Sequence, residues 1–211
     1  MKVDPTFTAL PLRSLADAAL QRARDLGVEH ADVRLERLQG QSIRLRDGNL
    51  QGAQDSEEVG FAVRVVADGT WGFAATIDLT PEAAARAAEE AVAVATVSRA
   101  ISTERIELAD EPVHADATWV SGYDIDPRTV PLADKVALLG EWSRRLLAAD
   151  AVDHVSAGVE QVVENKFYAD LAGTTTTQQR VRLHPVLEAH GHDEAAGRFD
   201  SMRTIAAPVG R

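Results

Sequence analysis

The sequence predicts an α+β fold with largely antiparallel sheets and three main helices. Three observations carry this. Three segments repeat apolar residues at helical spacing, beginning near Leu12, Thr80 and Pro131. Most other ordered stretches alternate apolar with polar residues, and Asp-Gly pairs at Asp47-Gly48 and Asp68-Gly69 separate such runs, as tight hairpins require. Helix, strand and strand then occur in that order twice, with no residue-level repeat behind the echo. Runs of strands interleaved with only three helices favour antiparallel pairing over a doubly wound parallel sheet.

In chain order, Leu12, Leu15, Ala16, Ala19, Leu20, Ala23 and Leu26 form the apolar stripe of a first helix, which Gly27 ends in a left-handed conformation. ADVRLERLQ and QSIRLR read as strands before the Asp47-Gly48 turn. Val59, Phe61, Val63 and Val65 alternate up to Asp68-Gly69, and TWGFAAT follows as the next strand. Thr80, Pro81 and Glu82 supply an N-cap, a first-turn proline and a dipole-favoured acid for the alanine-rich helix that follows. Residues 98–130 have little periodicity and suit an irregular crossing, so any internal boundary belongs there. Pro131 opens a helix carrying Leu132, Val136, Leu139 and Leu146. DHVSAGVEQVV, KFYAD and TTTTQQRVRLHPVLEAHG read as strands, divided at Glu164-Asn165-Lys166 and at Ala172-Gly173.

The 211 residues, 45% hydrophobic, suffice to bury a core. No apolar run reaches about 18 residues, so no membrane span is expected, and without a secretory leader pattern the default compartment is cytoplasmic. There is no cysteine, which removes disulfides and thiolate ligands and leaves His, Asp and Glu as the strong metal ligands. The net charge of -11, with no basic block longer than Arg144-Arg145, opposes long-range attraction to a polyanion, so no nucleic-acid partner is expected.

The densest cluster of chemical groups is LEAHGHDE, Leu187 to Glu194. Its first six residues differ from the zinc-peptidase signature HExxxH only in having Leu187 where the first histidine belongs. That signature works on a helix, whereas Pro185 and the β-branched residues before it indicate a strand. On a strand Glu188, His190 and His192 share one face, so a surface two-histidine site is sterically possible, but the expected reading is a polar strand end running into the turn DEAAGR. His30, His114, His154 and His184 are scattered, while Glu57-Glu58 and Glu89-Glu90 read as solvated faces. Thr174 to Thr177 reads as strand-forming sequence. Trp71 and Phe73 share a strand face, with sheet-core packing expected and peptide stacking the sharper alternative. Gly72 between them suits close approach of a helix or a second backbone. No phosphate loop, dinucleotide turn or nucleophile elbow is present.

The run IRLRDGNLQGAQDSEEVGFAVRVVADGTWGFAAT, residues 43–76, resembles the N-terminal domain of the TldD/PmbA proteins, also called modulators of DNA gyrase. DGTWGFAAT with the preceding GFAVRVV is its most specific piece. The likeness continues through the alanine-rich helix and returns at NKFYADLAGTTTTQQRV, residues 165–181. It implies a zinc-dependent peptidase family that forms two-subunit assemblies and cleaves unfolded or small peptides in an enclosed cavity. The family's zinc site lies on a helix farther along the chain and needs HExxxH plus a later cysteine. This sequence has neither, so no catalytic, cofactor-binding or metal residue is carried over, and no zinc is expected in this chain. Residues 1–211 are accordingly expected to be the N-terminal region of such a protein, with the catalytic domain elsewhere. The expected partners are that domain or a partner subunit, and a peptide substrate. The alternative is a non-catalytic interaction module pairing with a catalytic subunit; a DNA-binding regulator is disfavoured by charge.

Overall fold

Two-residue turns set the framework. Asp47 and Gly48 have φ of 52° and 75°, and Asp68 and Gly69 have φ of 47° and 65°, so both pairs adopt the left-handed geometry that matches the twist of a hairpin. The computed structural model describes residues 2–193 and 195–204. The first turn joins β1 (His30–Arg46) to β2 (Asn49–Ala67), and the second joins β2 to β3 (Thr70–Thr76). Three long helices are α2 (Leu12–Asp25), α3 (Pro81–Arg99) and α4 (Leu132–Leu147), preceded by the single turn α1 (Pro5–Thr8). The remaining strands are β4 (Ala117–Val120), β5 (His154–Asp170), β6 (Thr175–Asp193) and β7 (Arg198–Arg203).

Strands pair in the order β3-β2-β1-β5-β6-β4, with β7 also on β6. Pairing is mostly antiparallel, as expected; β4 is the exception, joining β6 in parallel with Trp119 opposite Gln178. The helix-strand-strand order recurs as expected, each copy extended by a third strand. Two expected interruptions are absent. β1 runs unbroken through Gln39 and Gly40, and β5 runs unbroken through Glu164-Asn165-Lys166. The second case has a clear cause. Asn165 is fully buried, and its polar side chain marks an inward-facing core position rather than a turn.

The chain divides into two compact units. Unit 1 combines the chain up to Leu38 with Glu58–Val120 and Glu164–Gln179. On the inner face of its sheet, Val33, Leu35, Phe61, Val63, Val65 and Phe167 form a core with the apolar face of α2 and the alanine stripe of α3. The small side chains of α3 permit very close approach: a Cβ placed on Gly72 would lie 1.9 Å from the Ala91 carbonyl oxygen. Gly72 thus meets a helix, one of the two neighbours its sequence suggested. Thr80 caps α3, its hydroxyl accepting from the Ala83 N–H at 3.3 Å.

A cation also lies in this core. The Arg37 side chain is 5% exposed and packs over the Phe7 ring. Its guanidinium donates to Asn165 Oδ1 at 2.8 Å and to Thr6 Oγ1 at 2.7 Å, and it pairs with Asp4 at 3.1 Å. Asn165 in turn donates to Gln179 Oε1 at 2.9 Å, which also accepts from the Asp4 N–H.

Unit 2 comprises Gln39–Glu57, Ser121–Val163 and the chain from Arg180. Its smaller core sets Leu139 of α4 against Ile43, Leu45, Ala157 and Val159, with Val136, Trp142 and Leu187 at its margin.

Gly72→Ala should destabilise the fold by about 1–3 kcal/mol through overpacking against α3. Gly122→Ala, where an added Cβ meets nothing within 4 Å, should change stability by less than about 0.5 kcal/mol. Urea unfolding midpoints of the two variants check the contrast.

Candidate functional site

LEAHGH lies on β6, as its proline and β-branched neighbours predict. Strand alternation and close packing account for its composition. Leu187 packs at the margin of the unit 2 core, and a Cβ on Gly191 would lie 2.1 Å from the Ala151 carbonyl oxygen. These two residues occupy one face, while Glu188, His190 and His192 occupy the other. There the His190 ring stacks on Phe199 at 5.9 Å between centroids. The acidic group of Glu194 lies outside the described residues.

Zinc held by protein alone needs three or four converging donors at about 2 Å. Among the described residues no group of three or more His, Asp or Glu side chains converges in this way. The strand histidines therefore do not fit a zinc centre. The remaining histidines are dispersed. His30 is 3.3 Å from Asp32, the His154 ring hydrogen-bonds Asp47 at 2.9 Å, His114 uses its backbone beside Thr174, and His184 borders a groove on unit 2. Glu57 accepts from Gln39 and Glu89 from Arg22, and both glutamate pairs lie on exposed surface.

The face of unit 1 opposite the helices carries a network that sequence patterning did not single out. Asp32 is 1% exposed yet charged, with Arg64 donating through Nε at 2.8 Å and Nη2 at 2.7 Å, and Arg34 at 3.5 Å. Burial works to raise its pKa, but the hydrogen bonds from His30 and Arg64, with the charges of Arg64 and Arg34, outweigh it and hold the carboxyl below the usual value. Arg64 lies over the Trp71 ring at 4.5 Å, and His30 meets that ring edge-on at 6.2 Å. The Tyr168 hydroxyl donates to Asp170 at 3.1 Å, and burial together with Asp32 and Asp170 raises the phenol well above its usual pKa.

Trp71 and Phe73 thus do not fill the sheet core. Thr70, Gly72 and Ala74 face inward on β3, so the period of two turns both aromatics outward, leaving Trp71 half-buried under Arg64 and Phe73 57% exposed. Asp32 and Arg64 were indistinguishable in sequence from ordinary outward charges. Their partnership depends on β1 and β2 being neighbours.

Unit 2 holds a polar cavity of ≈ 520 Å³ bordered by Gln39, Gln41, Asp55, Arg128, Lys135 and Gln161. Lys135 Nζ donates to Gln41 at 2.6 Å and to Gln161 at 2.8 Å. Desolvation lowers the pKa of this amine against the opposing pull of Asp55 and Asp126. The amide oxygens hold the ammonium by dipoles.

The fold and these surfaces define an α+β domain whose polar groups are spread over sheet faces. Comparison with known proteins adds what it is similar to. Residues 31–95 match the model of the PmbA/TldA metallopeptidase domain 1. A protein named Metalloprotease from Methanothermobacter thermautotrophicus is 29% identical over 172 residues, covering 82% of this chain and 36% of that protein. A modulator of DNA gyrase from Bacteroides thetaiotaomicron superposes with a TM-score of 0.72 at 16% identity, over 90% of this chain and 43% of that one. One from Thermotoga maritima gives 0.70 at 18%, over 90% and 42%, and TldE from Thermococcus kodakarensis gives 0.58 at 16%, over 90% and 42%. At such identities these three solved structures speak for the fold. Residues 31–95 are thus similar to the first domain of the TldD/PmbA metallopeptidase family. It spans 36% of the curated relative and less than half of each solved structure.

Two outcomes are expected. Titration of the chain with zinc should show no stoichiometric submicromolar site, and His190→Ala should leave the weak uptake unchanged. Because the folded pKa of Asp32 is depressed, its ionisation stabilises the fold above the unfolded value, and that contribution is lost as pH falls through the folded value. Asp32→Asn should therefore cost about 2 kcal/mol at neutral pH and flatten the stability loss below pH 3.8, the ordinary carboxyl value, as urea unfolding across pH checks.

Proposed function

We propose that this chain is the non-catalytic N-terminal region of a TldD-type zinc metallopeptidase acting on unfolded or small peptides. It helps shape the substrate cavity and the subunit contact, while HExxxH lies in a domain outside residues 1–211. The observation that carries the reading is the match of residues 31–95 to domain 1 of a metallopeptidase family, in a chain with no cysteine and with leucine at the first ligand position of its nearest HExxxH look-alike. Similarity to a whole protein named Metalloprotease, of which this chain spans about a third, supports the same division of labour. We assign no catalytic residue to this chain. The partners proposed are the catalytic domain or a partner subunit, and a peptide.

The outward residues of unit 1 suit this role. Trp71 and Phe73 present aromatic surface to an extended chain, and the Asp32–Arg64 pair holds Trp71 in place through its stacked guanidinium. Among the described residues no helix is long and apolar enough to cross a membrane.

The test is hydrolysis of an unfolded protein by the chain alone and by the protein encoded by its full reading frame, each with zinc and with a chelator. The chain alone should show no cleavage, whereas the longer protein should cleave in a chelator-sensitive way. Zinc-dependent cleavage by residues 1–211 alone, or none by the longer protein in complex with its family partner, would sink the reading.

A further inference from the structure

The outer face of unit 2 holds a groove whose charge runs against the rest of the molecule. Its volume is ≈ 440 Å³, and Arg44 and Arg46 of β1, Gly158 of β5, His184 and Val186 of β6 and Arg203 of β7 border it. The alternation of β1 and β5 sends Ile43, Leu45, Ala157 and Val159 inward to α4 and turns Arg44, Arg46 and Gly158 outward. Gly158 supplies the depth. A Cβ there would stand 3.0 Å from the Ile43 carbonyl oxygen and 3.9 Å from Arg44 Cγ, so the floor is bare backbone.

Three guanidinium groups therefore surround a trench in a chain of net charge -11. Glu160 is the carboxylate on the rim, and Arg46 is engaged by Ser156 at 3.1 Å and Asp47 at 3.6 Å. Arg44 and Arg203 are both exposed; Glu188 of β6 stands opposite Arg203 in the β6–β7 register, while among the described residues Arg44 forms no ion pair. These exposed cations, separated by backbone and the apolar side chain of Val186, match a ligand with acidic groups spaced by apolar ones.

We propose that this groove docks an extended acidic peptide, with carboxylates on Arg44 and Arg203 and an apolar side chain over Gly158. The proposal rests on the peptidase reading and names its preferred peptide class. The overall negative charge does not prevent it, because at physiological salt screening acts over about 8 Å and the nearest guanidiniums dominate a short ligand. A long polyanion meets the whole field. Arginine also favours the bidentate geometry of a carboxylate.

The experiment is fluorescence anisotropy of the 211-residue chain with a labelled peptide of alternating Glu and Leu. Peptides alternating Gln and Leu, and Lys and Leu, and a labelled DNA duplex serve as competitors. An exposed ion pair changes a dissociation constant by up to about fivefold. The Glu peptide should therefore bind roughly tenfold more tightly than the Gln peptide, and the preference should shrink with salt. Arg44→Glu with Arg203→Glu should abolish the preference, and the milder Arg44→Gln with Arg203→Gln should reduce it with an unchanged melting curve. Arg24→Glu, a reversal within unit 1, should leave it intact. Equal binding of the three peptides, tighter binding of DNA, or insensitivity to both arginine pairs would overturn the proposal. Binding is read without turnover, so a failed hydrolysis assay with intact Glu-peptide preference strikes the peptidase reading, and the reverse result strikes the groove.

Discussion

A charged arginine inside the core of unit 1 is the constraint on which that unit depends. A guanidinium buried to the extent of Arg37 is tolerated only when its donors are met, and removing one partner of such a group costs about 3–5 kcal/mol. Its partners come from the N-terminal segment and from β5, while Gln179 of β6 completes the network through Asn165. The polar groups therefore hold three strands in one register and fasten α1 to them. A slip of one residue on β5 would turn Asn165 outward and leave the cation without its acceptor. Apolar packing alone, which tolerates substitution of one methyl group by another, would specify that register less strictly.

The same alternation organises function. Inner faces are apolar and carry helices; outer faces carry the chemistry. In unit 1 the small residues Gly72 and Ala74 admit α3 so closely that β3 can bury little on that side, and the bulky Trp71 and Phe73 are directed outward beneath and beside Arg64. In unit 2 the requirement that Leu187 meet the core and Gly191 clear Ala151 places His190 and His192 outward. A segment that resembles half of a metal motif is explained by packing on one face and solvent on the other. The proposal places the chemistry of the peptidase outside this chain and gives this chain a part in holding substrate. Extended peptides and sheet faces share their spacing of side chains, so a chain built from long strands presents alternating pockets and charges at the repeat a peptide itself has.

Much of this was legible in the sequence because the signals were local. Asp47-Gly48 and Asp68-Gly69 demand positive φ, Thr80-Pro81 caps a helix, and Pro185 among β-branched residues excludes a helical HExxxH; each rests on backbone sterics within a few residues. The family resemblance rested on DGTWGFAAT, whose Gly72 is confined by α3. Other features joined residues far apart. Asp32 and Arg64 are separated by 32 positions, Arg37 and Asn165 by 128, and the basic groove assembles from β1, β5, β6 and β7. Alternation also left the direction of a strand's two faces open, which is why Trp71 and Phe73 were expected inside and lie outside. By itself the sequence determined the three long helices, the Asp-Gly turns and the α+β class, since those follow from local conformational preference. Tertiary structure alone decided which face met a helix, why Glu164-Asn165-Lys166 continues a strand, and where the arginines of the groove gather, because burial and charge placement are set by neighbours that the chain brings together only on folding.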